Sequence, residues 1–283
     1  MDVTLHYVGA NGSMLDLLRH PYFETTVDGM TDVDSDIAAA TTPSMDGDKV
    51  NNVRTQPRGI VLDFKIKHSA NVEEAKRYIL RTVKHKQTGR LVLHQDGRDV
   101  EISGVVESIS MPRFTDSVVM QVAMHCSAPY WQDVENVVLA ISRVLDMHYF
   151  PLDKGGLAFP VEGVVMGEYD LNMTRTYTND GDAECGIVIT IIALGDVVNP
   201  TIYKADGSFI GVTDSMVTGD EIIINTNRGE KGITKNGANI LNKIKSGSTF
   251  LQLETGDNQL TIDSDGDTEG NVYFLLSFKR RFV

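Results

Sequence analysis

The sequence predicts a mainly β protein of two domains. The first is an α+β domain, a β-barrel or sandwich with one helix and a hairpin; the second is an antiparallel β-sandwich or jelly roll. Three observations predict this. Apolar residues alternate at every second position in segments of both halves, one segment carries a capped helical pattern, and Gly-containing turns divide the second half. At 283 residues the chain is long enough for two ordinary domains, each burying its own core.

Residues 24–57, ETTVDGMTDVDSDIAAATTPSMDGDKVNNVRTQP, hold six Asp, little periodicity and several turn formers, and are expected to form a long loop. GIVLDFKIKH follows as a strand with Ile60, Leu62, Phe64 and Ile66 on one face. In NVEEAKRYILRTVKHKQTG, Asn71 can cap a helix and Glu74 stands at its third position, a variant of the capping box. Val72, Ala75, Ile79 and Val83 mark one helical face, and Gly89 supplies a stop. RLVLHQDGRDVEISGVVE reads as a hairpin through Asp96-Gly97, because both central residues of such a turn must take positive φ.

The last strand of this half places Val118, Met120, Val122, Met124 and Cys126 on one face and runs into Pro129, Tyr130 and Trp131. Trp131, the only Trp, is expected with Pro129 to anchor the end of domain 1–132. Residues 133–155 read as a connector, helical over VENVVLAISRVLDMHY, residues 134–149. Domain 156–283 then shows the strand-like runs CGIVITIIAL, PTIYK, SFIGVT, DEIIINT, TFLQLET, NQLTIDS and NVYFLLSFKRRF. Turns at Asp206-Gly207, Gly219-Asp220, Asn236-Gly237 and Gly256-Asp257 part them, which is the pattern of a sandwich.

Composition narrows the function. A net charge of −13 argues against general nucleic-acid binding, and no apolar run approaches the ~20 residues of a membrane span. The start, MDVTLHYVGANG, lacks the basic and apolar regions of a signal peptide, and two Cys do not make a disulfide scaffold, so cytosolic synthesis is expected. The seven His show no metalloenzyme pairing, and no nucleophile elbow, Walker loop or dinucleotide fingerprint occurs. His125 and Cys126 adjoin on a strand and so face opposite ways. DSDGDTEG, residues 263–270, places its Gly at the fourth position and Phe274 at the twelfth; a calcium loop wants Gly sixth and Glu twelfth. No catalytic residue, metal ligand or cofactor is expected. Lys76, Arg77, Arg81 and Lys84 make the helix's outer side basic, while Asp32, Asp34, Asp36, Asp46 and Asp48 make the 24–57 segment acidic; opposite surfaces of this kind suit self-association.

The succession RGIVLDFKI, EEAKRYILRTV, GRLVLHQDGRDVEISGVV and SVVMQVAMHCSAPYWQD resembles the distal tail protein family of long-tailed bacteriophages. The second half is similar too, in NDGDAECGIVITI, VVNPTIYKADG, TGDEIIINTNRGEKGITKNG and SGSTFLQLETGDNQLTID. The resemblance implies a ring-forming N-terminal domain, assembled as a hexamer at the end of the tail tube, and a galectin-like C-terminal sandwich. It implies as partners the tail tube protein, a tail-hub or tail-tip protein and receptor-binding proteins, in the virion tail tip after assembly in the host cytoplasm. In that setting Lys76, Arg77, Arg81, Lys84, Asp96 and Gly97 become candidate ring-interface residues. The competing reading is a carbohydrate-binding module recognising a host cell-wall sugar, and a third is a glycoside hydrolase, which would need paired carboxylates that sequence cannot locate.

Overall fold

The computed structural model describes residues 3–41, 46–67, 71–111, 118–140, 143–145, 168–170, 174–265 and 272–283. The chain forms two compact units, one of Met1–Glu135 together with Arg281–Val283, the other of Asn136–Arg280. In the first unit the strands before the helix are β1 (Thr4–Gly9), β2 (Met14–Asp16), β3 (Phe23–Asp28), β4 (Ser35–Thr41), β5 (Asp48–Thr55) and β6 (Arg58–Ile66). Helix α1 (Val72–Thr82) leads to β7 (Thr88–Gln95), β8 (Arg98–Ser110), β9 (Val119–Cys126) and β10 (Trp131–Asp133).

Antiparallel pairing runs β2-β1-β7-β8-β9-β6-β3, with β10 on the first part of β8. Alternation in the sequence becomes cross-strand packing. Ile60 lies opposite Met124, Leu62 opposite Val122 and Phe64 opposite Met120, and all six are buried. Helix α1 starts where expected because the Asn71 Oδ1 accepts from the backbone N–H of Glu73 (3.0 Å) and Glu74 (3.4 Å). Its Ala75 and Ile79, with Val83 at its end, complete the core. The β7–β8 turn takes the expected left-handed pair, Asp96 at φ 53° and Gly97 at φ 78°.

Where they are described, residues 24–57 are not a long loop. Most of them are strand: β3 pairs with β6, and β4 with β5 forms a separate two-stranded ribbon. The usual signal is absent because neither face of the ribbon meets a core. Its side chains are exposed or half-buried throughout, so alternation was never required of the sequence.

The second unit holds β11 (Val137–Ala140), β12 (Arg143–Leu145), β13 (Glu168–Asp170), β14 (Thr174–Asn179), β15 (Cys185–Ala193) and β16 (Val197–Val198). It continues with β17 (Thr201–Lys204), β18 (Phe209–Gly211), β19 (Ser215–Met216), β20 (Glu221–Asn225) and β21 (Gly232–Lys235). β22 (Ala238–Asn239), β23 (Gln252–Leu253), β24 (Gly256–Asp263) and β25 (Val272–Phe278) complete it. One sheet runs β11-β25-β15-β20-β21-β22 and a second runs β14-β24-β17-β18. Ile187, Ile189, Ile191, Phe274 and Leu276 of the first share one core with Tyr177, Ile202, Ile210, Leu260 and Ile262 of the second, which makes the unit an antiparallel β-sandwich.

Two boundaries differ from the expected ones. The segment 134–149 is not helical where it is described: Val137–Ala140 is a strand on β25, and Arg143–Leu145 pairs with Glu168–Asp170. The β-branched pair Val137 and Val138 and the pairing with the edge of β25 outweigh the helical spacing. Residues 141–142 and 146–149 lie outside the described residues. At the other end, β26 (Arg281–Phe282) leaves the sandwich and pairs with β10, with Phe282 opposite Trp131. The inserted unit therefore begins at Asn136 rather than at residue 156, and stops short of the C-terminus.

Candidate assembly surfaces

The first surface is the outer side of α1. Burial of Ala75 and Ile79 turns Arg77, Tyr78 and Arg81 outward, and they line a cleft of about 420 Å³ with Tyr22, Asn71, Glu73 and Glu74. Behind it lies a ring cluster. His20 stacks on Phe23 at 4.1 Å and tilts against Tyr78 at 4.7 Å, and Tyr22 meets Tyr78 edge-on at 6.1 Å. The His20 Nδ1 accepts from the Tyr22 backbone N–H at 3.3 Å. Burial pulls the His20 imidazole below its ordinary value, with Asp16 opposing. Arg77, Arg81 and Lys84 are exposed, Lys76 is half-buried, and none of the four has an ion partner among the described residues.

The second surface is the β4–β5 ribbon. Ile37 lies opposite Val53 and Ala39 opposite Val50, so these four form one face, with Ile37 58%, Val53 56% and Val50 55% exposed. On the other face Arg54 pairs with Asp36 at 2.7 Å. The root of the ribbon is held firmly. The Met30 carbonyl accepts from the Trp131 Nε1–H at 3.0 Å and from the Arg58 guanidinium, and the Thr55 and Tyr130 hydroxyls bond at 2.8 Å. Gly29 makes the turn at φ 81°, where a Cβ would sit 2.2 Å from the Gly59 carbonyl oxygen.

The expected interface residues do not converge. Thr82, the last residue of α1, approaches Gly9, which pairs with Gly89, whereas Asp96-Gly97 lies at the opposite end of β7, about 23 Å further on at the usual strand rise. The hairpin tip is occupied locally, with a 2.5 Å contact between His94 Nδ1 and Asp99. Trp131 is 4% exposed within the first core, and Pro129 precedes it in an irregular turn. What sequence reasoning missed is the ribbon. Its signal was the Asp46-Gly47 pair between the runs SDIAAAT and DKVNNVRT, and the lack of apolar alternation masked it.

The adjoining Cys126 and His125 do not face each other, since Cys126 is buried and His125 exposed. Burial pushes the Cys126 thiol up to about 11, which leaves it protonated and inert, while His125 points to solvent. Among the described residues no group of three or more His, Cys, Asp or Glu is placed so that it could hold a metal ion. Of the 263–270 segment, Asp263 accepts from Ser264 N–H and Asp265 from the Asn199 amide, and 266–270 lie outside the described residues. Among the described residues no helix is long and apolar enough to cross a membrane.

Comparison with known proteins points to one class. Residues 180–282 match the family described as siphovirus-type tail component, C-terminal domain. The Dit protein (gp 19.1) of phage SPP1, described as a paradigm of the hub adsorption apparatus in phages infecting Gram-positive bacteria, aligns over 100% of both chains at 14% identity with a TM-score of 0.68. Chains of the phage p2 baseplate in its activated conformation, with strontium or with calcium, align over 100% of both chains at 12% and 13% identity, each with a TM-score of 0.51. No curated protein sequence matches the chain. Residues 180–282 are thus similar to siphovirus-type tail component C-terminal domains, in a chain whose fold is that of the SPP1 Dit protein.

Proposed function

We propose that this chain is a structural hub at the distal end of a long phage tail. Six copies of the first unit close a ring that continues the tail tube protein, and the galectin-like second unit meets tail-hub, tail-tip or receptor-binding proteins. The likeness to the SPP1 Dit protein over the full length of both chains carries this reading. Its mechanism is geometric: copies joined by unlike surfaces close when the rotation between them divides a circle. No substrate is turned over and no cofactor is held. The protein assembles in the host cytoplasm and ends in the virion tail tip.

The sugar-binding alternative needs an exposed ring with polar groups around it. Among the described residues of the second unit the exposed large apolar side chains are Val138, Leu139, Leu194, Val198, Val217 and Leu241, none of them aromatic. The hub reading is therefore preferred. Negative-stain imaging of the purified protein bound to purified tail tubes tests it: a closed ring at one tube end is expected, and tubes that stay bare would sink it.

The two units are proposed as separable folds with residues 136–280 as the inserted one. That fragment alone should give a soluble β-rich circular dichroism spectrum. A fragment of 156–283 should fare worse, since it lacks β11 and carries β26 without β10. Equal behaviour of the two would argue against this boundary.

A further inference from the structure

We infer that β26 is a latch through which folding of the second unit orders the root of the β4–β5 ribbon in the first unit, and that this control runs in one direction.

The chain passes between the units twice, and each pass is short. Residues 134–136 lie between β10 and β11, and residues 279–280 between β25 and β26. The two passes are paired at both ends: Val137 lies opposite Phe278 in the second unit, and Gln132 lies opposite Arg281 in the first. A folded insert thus holds its own entry and exit on adjacent strands and delivers β26 to β10 across a few residues. An unfolded insert leaves a flexible loop from 134 to 280 instead. The chance that loop ends meet falls roughly as the 3/2 power of loop length, so the local concentration of β26 at β10 drops on the order of a hundredfold.

What is delivered is small, but it lands on a sensitive point. β26 makes two residue pairs with β10, and β10 makes two with β8, so neither strand is held by its length. Side chains hold them. Phe282 lies opposite Trp131, packs against the first core and has the Arg98 guanidinium 5.5 Å from its ring centroid. Trp131, 4% exposed, gives its indole N–H to the Met30 carbonyl at 3.0 Å, at the ribbon root. The same carbonyl accepts from Arg58, which is 3% exposed and whose Nε and Nη2 find no partner among the described residues. A buried guanidinium with so few acceptors is costly to strip further, so Arg58 and Trp131 fix Met30 together. The line of support runs from β25 through β26 and Trp131 to Met30.

The direction follows from which unit lends a strand. Both sheets of the sandwich draw every strand from residues 137–278, so the second unit closes its core without the first. The first unit takes residues 281–283 from beyond the insert. Loosening the insert therefore reaches the ribbon root, whereas loosening the first core removes no strand from the sandwich.

The test uses the whole chain with one substitution at a time. Ile189→Ala in β15 and Leu91→Ala in β7 weaken the second and first cores, each at a position of 0% exposure, and Phe282→Ala weakens the latch itself. Across a urea series, hydrogen exchange by mass spectrometry follows peptides of β15 and of residues 28–34, and fluorescence follows Trp131, the only Trp. Ile189→Ala should lower the β15 midpoint and carry the Trp131 red shift down with it. Exchange over 28–34 should then rise by up to about a hundredfold where the insert is unfolded. Leu91→Ala should lower the Trp131 midpoint and leave that of β15 in place. Phe282→Ala should raise acrylamide quenching of Trp131 and exchange over 28–34 without urea, with β15 unchanged; Phe282→Leu, which keeps an apolar side chain, should fall between it and the wild type. A Trp131 midpoint that stays put in Ile189→Ala would overturn the latch, and this arm decides the matter even if both Phe282 variants unfold the first unit. A β15 midpoint that falls in Leu91→Ala would overturn the direction, and folded Phe282→Ala with wild-type exchange over 28–34 would overturn the link to the ribbon root. None of these measurements involves tail tubes, so their failure leaves the hub reading as it stands.

Discussion

The first unit contains two antiparallel hairpins of similar length, both turning near an Asp-Gly pair, yet only one is legible as a hairpin in the sequence. β7–β8 pairs residue for residue from Thr88–Val105 to Gln95–Arg98 and buries Leu91 and Ile102. β4–β5 has an irregular register between Ala38 and Ala39 and buries nothing. The backbone ladder is the same kind of structure in both. What differs is the side that meets a core, and apolar alternation reports that meeting rather than the strand itself. A ribbon without a core is left with cross-strand pairs of about 0.2–1 kcal/mol each and whatever holds its root.

The sharpest test contrasts buried and exposed positions. Leu91→Ala in β7, at 0% exposure, should cost about 2–5 kcal/mol, and Trp131→Ala about 3–5 kcal/mol. Trp131→Ala should do something more, because the indole N–H also holds Met30 at the ribbon root. Denaturant unfolding followed on the first unit measures the first effect, and amide hydrogen exchange across β4 and β5 measures the second. If Leu91→Ala loosens the ribbon as much as Trp131→Ala does, the root is not what orders it.

Two glycines of the ribbon separate its root from its tip. Gly29 and Gly47 both have positive φ, 81° and 86°, but a Cβ on Gly29 meets the Gly59 carbonyl oxygen at 2.2 Å while one on Gly47 meets nothing within 4 Å. Gly47→Ala should therefore carry only the left-handed backbone cost, about 1–2 kcal/mol, and mostly within the ribbon. Gly29→Ala adds a clash between two backbones that neither can relieve, and about 2–4 kcal/mol is expected in the global transition. Equal effects would mean that the tip is as constrained as the root.

Legibility in the rest of the molecule follows the same rule. The helix could be read because Asn71 caps it and Ala75, Ile79 and Val83 fall on one buried face. β15 and β25 could be read because both strands bury alternate residues. β11 could not, because an edge strand of four residues with Val138 58% exposed carries a pattern short enough to fit a helix. β26 was hidden for another reason: KRRF continues an apolar strand in sequence, and only tertiary pairing of Phe282 with Trp131 assigns it to the other unit. Of the candidate interface, the basic helix face was visible in composition, but its separation from Asp96-Gly97 depends on which end of β7 the helix meets.

A pH series distinguishes the core behind the cleft from the exposed ribbon. His20 is 9% exposed, and burial lowers its imidazole from the ordinary 6.5. The unfolded state then binds more protons than the folded one, so stability rises with pH. The contribution of the neutral ring is complete above about pH 6.5 and is lost as pH falls below that value through the lower folded one. Stability of the first unit should drop on acidification in this window more for the wild type than for His20→Gln. Parallel curves would show that His20 titrates alike in both states.

The smallest effect is the most direct attack on the comparison. Ile37→Thr with Val53→Thr replaces the facing apolar pair of the ribbon by two residues of good strand propensity. At 58% and 56% exposure these side chains bury little on folding, so monomer stability should change by no more than about 0.5 kcal/mol. A pair of bulky apolar residues kept exposed at no benefit to the monomer invites a contact made only in the assembly. Assembly in the presence of tail tubes should therefore weaken while the unfolding midpoint stays in place. If instead the midpoint falls by the amount seen for Leu91→Ala, the ribbon packs on its own unit in solution. The two hairpins would then be alike, and exposure would no longer account for why only one of them shows in the sequence.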